Sequence, residues 1–190
     1  MAGYQEFQFC PPERLTELVK IVGDDDDRGL IQIELLLVDF PADPRIHFLR
    51  GSVLAGRQLY AEGREAMAKA VEIAPGYEIA RFQLGFLELT SGDPGAATAT
   101  WAPLHDLEPD HYLRRFVTGL EHLARDEFPE AISALRDGIA RNPENPLMST
   151  DMQRIIEEVE AKLGDQEAKE EPVSSAHLLL QQYAAKPTRH

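Results

Sequence analysis

Cysteine is nearly absent from this chain. Cys10 is the only one in 190 residues, so no internal disulfide can brace the fold, and a reducing compartment is the simplest expectation. Basic residues are also scarce. Lysine and arginine number 19 against 33 aspartates and glutamates, a formal charge of −14. Such a surface repels phosphate backbones and anionic lipid heads, so neither nucleic acid nor a membrane is an expected partner. Long apolar runs are missing as well. The most apolar window, Leu30–Phe40, has 11 residues and is interrupted by Gln32 and Glu34, too short to span a bilayer. The opening residues, MAGYQEFQFCPPE, carry no basic stretch followed by an apolar run, so no secretory signal is read there. A soluble, cytoplasmic protein is expected.

Chemistry-bearing motifs are equally thin. Six histidines stand at positions 47, 105, 111, 122, 177 and 190. No two fall at metal-ligand spacing within a helix, and there is no HExxH or cysteine cluster. His105 and His111, with Asp106 and Asp110, read as turn residues. The run Gly23–Asp27 (GDDDD) lacks the alternating ligands, turn glycine and closing glutamate of a calcium loop and reads as a solvated connector. No glycine-rich phosphate loop follows a strand, and no Ser or Cys occupies a nucleophile motif. The expectation is a non-enzymatic protein with no metal and no cofactor.

What the chain does have is repetition. Gly51, Gly85 and Gly119 recur 34 residues apart, and so do Pro75, Pro109 and Pro143. Three ungapped copies begin at Pro44, Glu78 and Tyr112. Each carries its glycine where one helix must approach its mate. Small residues follow at Gly63, Ala97 and Ala131, large apolar ones at Met67, Trp101 and Leu135, then Ala70, Leu104 and Gly138. A proline closes each second helix. With two helical halves per copy, this stretch from Pro44 to Asn145 resembles the tetratricopeptide-repeat family. The resemblance implies an all-α chain wound as a right-handed superhelix of helix pairs, an αα solenoid.

Around the three repeats (44–77, 78–111 and 112–145) the remaining chain reads as caps. Residues 1–43 form an arm and a helix pair, a degenerate half-repeat. The first helix starts near Pro11 and carries Leu15, Leu18, Val19 and Val22 at helical spacing. The second, Leu30–Phe40, has one row of Leu30, Ile33, Leu37 and Phe40 and another of Ile31, Leu35 and Val38. Apolar nearly all round, it is expected to be sandwiched. Residues 146–164 form a capping helix, opened by a capping box from Thr150 to Gln153 and closed at Gly164. Residues 165–190 are an acidic linker and a short amphipathic tail, with Ala176, Leu179, Leu180 and Tyr183 on one face.

Some positions depart from the family pattern. His47, Arg81 and Arg115 replace a large apolar residue, and Glu88 and His122 follow one helical stretch later. Arg81, Glu88 and Arg115 are expected to form a hydrogen-bonded ladder between repeats, because an unpaired buried charge is costly, the alternative being that they snorkel to solvent over their aliphatic stems. Pro103 lies inside the second helix of the middle copy, where proline costs about 3 kcal/mol, so that helix should bend or stop near Ala102.

In the family the first helices line a concave groove. The resemblance places Phe48, Ser52, Ile79, Phe82, Phe86, Leu89, Leu113, Phe116, Leu120 and Leu123 there. Independently, Phe82, Phe86 and Leu89 fall at i, i+4 and i+7 on one helix face, and Phe116, Leu120 and Leu123 repeat that spacing. The competing reading is that these stripes are core between helices. Against it, Leu84, Leu87, Leu113 and Val117 already supply inward-facing groups. Family members that capture a C-terminal carboxylate use a basic clamp; here those positions read Phe48, Ser52, Gln83, Leu113 and Val117, and the clamp is missing. An aromatic and aliphatic groove suits a protein partner, offered as an amphipathic helix or an apolar peptide. The tail at 173–183 is a possible occupant in cis or in trans. The expected function is a protein-interaction scaffold or adaptor. The alternative is a cytoplasmic chaperone for a secreted or translocated bacterial protein, distinguished by a client that becomes insoluble without it.

Overall fold

The computed structural model describes residues 9–167. The chain divides into two compact units, one ending at Leu84 and the next beginning at Gly85, within a single helix. Before that point stand α1 (Pro12–Asp24), α2 (Asp26–Asp39), α3 (Pro44–Gly56) and α4 (Tyr60–Ile73). The divided helix is α5 (Glu78–Thr90). After it come α6 (Pro94–Trp101), a 3-10 turn (Ala102–Asp106), α7 (Tyr112–Ala124), α8 (Phe128–Ala140) and α9 (Pro146–Glu167). No strand occurs among the described residues, so the chain is all-α as its period requires.

Each repeat folds into an antiparallel helix pair for local reasons. Asp43 and Asp93 stand just before prolines at the first turns of α3 and α6, and their carboxylates accept from the backbone N–H of Arg45 and Ala96. Proline there loses no helical hydrogen bond, and the aspartate satisfies an orphan donor. The turn between paired helices places one residue in the left-handed region: Gln58, Gly92 and Asp126, at φ 64°, 89° and 58°. These also recur every 34 residues, since 58 + 34 = 92 and 92 + 34 = 126. Within the pairs, the repeated glycines sit where expected. A Cβ on Gly51 would lie 2.5 Å from Met67 Cγ, one on Gly119 2.7 Å from Leu135 Cγ, and one on Gly85 would run into the Trp101 ring. The glycine of each first helix is therefore the socket for the large residue of the second. The proline at 103 acts as its type dictates: α6 stops at Trp101, and the next residues form the 3-10 turn.

Three local expectations need correction. α2 begins at Asp26 rather than Leu30, because Asp25 caps it by accepting from Arg28 N–H at 3.0 Å. It is not sandwiched either. Ile33, Leu36 and Phe40 face a core shared with Leu18, Ile46 and Val53. On the opposite side Ile31, Leu35 and Val38 are 62%, 57% and 80% exposed. The neighbouring helices pack on one side only and fasten α2 along its flanks, Arg14 to Asp39, Arg50 to Glu34 and Arg57 to Asp27. Finally, α9 opens at Pro146, where Asn145 accepts from Met148 N–H at 3.2 Å. Thr150 lies inside that helix and donates to Pro146 O at 3.0 Å, so it caps nothing. The helix also continues through Gly164 to Glu167. The tail at 173–183 lies outside the described residues.

Candidate protein-binding surface

A concavity lies in the first unit. The C-terminal end of α1 and the exposed side of α3 enclose a hollow of about 570 Å³, lined by Val19, Val22, Gly23, Asp24, Asp25, Asp26, Leu49, Ser52, Val53 and Gly56. Its floor is continuous with the core, since Val53 is buried and Val22 and Leu49 pack against the same cluster. Val19, 55% exposed, forms an apolar edge. Ser52 is turned inward on its own helix, donating to Phe48 O at 3.0 Å, so it offers the hollow no free hydroxyl proton. One turn away Phe48 is half-buried and meets the Tyr77 ring edge-on at 5.4 Å.

The ten residues placed in the groove by sequence separate into two groups. Phe48, Ser52, Ile79 and Phe86 are part-exposed. Phe82, Phe116, Leu120 and Leu123 are 0% exposed, Leu113 is 1% and Leu89 4%. Those six are interior side chains. The cause is visible at Phe116: a Cβ on Gly138 of α8 would lie 2.5 Å from its Cδ1, so the ring fills space that α8 leaves by having no side chain there. The Phe116 ring of α7 is thus packed against α8.

Sequence reasoning missed a clamp at the start of α3. Asp43 is fully buried and accepts from Cys10 N–H at 2.8 Å, Arg45 Nη2 at 2.6 Å and Arg45 Nε at 2.9 Å. Arg45 Nη2 also donates to Cys10 O at 2.8 Å, fixing the chain entering α1 to the start of α3. Burial opposes ionisation of Asp43, but hydrogen bonds from Arg45 and the backbone N–H groups outweigh it and hold the carboxyl below its usual range. The Asp-Pro pair at 43–44, matching that at 93–94, was the available signal. Burial pushes the Cys10 thiol upward, so it stays protonated and unreactive.

The polar residues at usually apolar positions are placed individually. Arg81 Nη2 donates to Pro75 O at 3.0 Å. Arg115 Nε lies 2.9 Å from Asp137 Oδ2, an ion pair not aligned as a hydrogen bond. Glu88, expected to link them, is 8% exposed and its Oε2 has no hydrogen-bond partner. His105 contacts Glu121 at 3.1 Å, and His122 contacts Glu127 at 2.6 Å, beside Arg125. Among the described residues no group of three or more His, Cys, Asp or Glu is arranged to hold a metal ion, and no helix is long and apolar enough to cross a membrane.

Helix pairs on a fixed period define a class, the all-helical repeat proteins. The repeats are similar in sequence and fold to those of tetratricopeptide-repeat proteins. Over 76 residues the chain is 38% identical to human tetratricopeptide repeat protein 34, a match covering 39% of this chain and 13% of that protein. Two solved structures share the fold. MamA, residue 41 to the end, from Desulfovibrio magneticus RS-1 matches with a TM-score of 0.56 at 14% identity, over 84% of this chain and 96% of that one. The MamA RS-1 ArsTM double mutant matches with 0.58 at 13% identity, over 91% and 93%. No protein-family model matches the chain.

Proposed function

We propose that the chain is a non-enzymatic adaptor that holds an apolar or amphipathic segment of a partner protein against the exposed face of α3. The carrying observation is the hollow of about 570 Å³ beside that face, walled by Val19, Val22, Leu49 and Val53. Hollows of this size admit several side chains. Part-exposed Phe48 and Ile79 add apolar surface within the first unit. Each apolar anchor fully buried by a partner is worth roughly 1.5–3 kcal/mol, so a few anchors support micromolar binding after ordering costs. A buried, protonated lone thiol suits a cytoplasmic setting.

The test fills the hollow. A Cβ on Gly56 meets nothing within 4 Å, so Gly56→Trp can be accommodated while its ring occupies the space a partner would use. Loss of binding to an amphipathic Leu/Ala helical peptide, with melting temperature retained, supports the reading. Undiminished binding sinks it.

A further inference from the structure

We infer that the hollow selects a segment whose apolar anchor is neighboured by a lysine or arginine, with that cation seated between Asp24 and Asp26. The inference rests on the binding surface proposed above and adds the chemistry of its occupant. Three consecutive aspartates line the hollow together with Ser52 and its apolar residues. Asp25 is engaged in capping α2, and the next carboxylate along, Asp27, is paired with Arg57 at 2.6 Å. Asp24 and Asp26 are exposed, and neither has an ion-pair partner among the described residues.

The position of Asp24 sharpens the point. It is the last residue of α1, and that last turn holds no basic residue. The carbonyl end of a helix favours a cation and disfavours a carboxylate. Asp24 also stands just before the N-cap of α2, whose amide end offsets that penalty, so it is its exposure and lack of an ion pair that leave it open to a positive group. A bare metal ion does not fit, since no group of three or more ligating side chains converges among the described residues. A second copy of the chain is opposed by its charge, −14 on each molecule. The same field raises the local concentration of a cationic segment. A lysine or arginine beside an apolar residue satisfies both walls, its stem lying on Val19 and Val22 and its head on the carboxylates.

The experiment uses the full chain and two 14-residue acetylated, amidated Leu/Ala helical peptides identical on their apolar face. One carries two lysines on its polar edge and the other two glutamines. Fluorescence anisotropy at low salt should give roughly three- to tenfold tighter binding of the lysine peptide, a preference that fades as salt screens it. Asp24→Asn with Asp26→Asn should remove the preference and leave the glutamine peptide unchanged. Glu62→Gln with Glu65→Gln, an equal change of charge on α4, should leave the preference intact. Equal affinities in the unmodified chain, or equal effects of the two double variants, overturn the cation site while the hollow remains a binding surface. Binding of neither peptide overturns both.

Discussion

At the residue scale, one buried carboxylate and one missing side chain make the sharpest claims. Asp43 caps α3 and also satisfies the Cys10 N–H. Removing a cap costs about 1 kcal/mol, and a stranded buried N–H costs roughly 1–3 kcal/mol. Asp43→Ala should therefore lose about 2–4 kcal/mol in urea unfolding, far more than Asp24→Ala. Its pH signature has a definite sign. The folded carboxyl titrates below its unfolded value of about 3.9, so its stabilisation is complete above that pH and disappears as pH falls through the folded value. The melting temperature of the wild type should fall more steeply below pH ~4 than that of Asp43→Asn. A parallel decline would show the carboxylate contributes nothing specific.

Gly85 gives the complementary prediction. With the Trp101 ring where its Cβ would be, Gly85→Ala must displace a fully buried indole and should destabilise by about 2–3 kcal/mol. A neutral result in thermal melts would contradict the socket arrangement.

At the element scale, the turns carry strain that the repeat does not need. Gln58 and Asp126 adopt the left-handed conformation that Gly92 adopts freely in the middle copy. Gln58→Gly should stabilise by up to about 1 kcal/mol, read as a raised melting temperature. Destabilisation would mean its side chain does more than tolerate the turn. The period was fully legible in the glycines and prolines, yet this turn position was legible only at Gly92, because Gln and Asp carry no mark of positive φ. α2 shows a second limit. Both of its rows are apolar, so periodicity could not say which one the fold covers. The groove stripe shows a third: the burial of Phe116 is decided by Gly138, 22 residues further on, and spacing within α7 contains nothing about it. Replacing Ile31, Leu35 and Val38 with glutamine should each change stability by no more than about 0.5 kcal/mol, whereas Ile33→Ala should cost roughly 2–5 kcal/mol.

For the whole molecule, the central claim is that partner contact belongs to the hollow beside α3 and not to the stripe inside α7. Charge supports the division. A formal charge of −14 opposes self-association through an open apolar space, and the side chains at that space are held by the core beneath them. Methyl-resolved NMR of the full chain, titrated with the lysine-bearing amphipathic peptide, reads this directly. Saturable shifts at the methyls of Val19, Val22, Leu49 and Val53, with Leu120 and Leu123 unmoved, are expected. Shifts confined to Leu120 and Leu123, or to the exposed row of Ile31, Leu35 and Val38, would contradict the assignment.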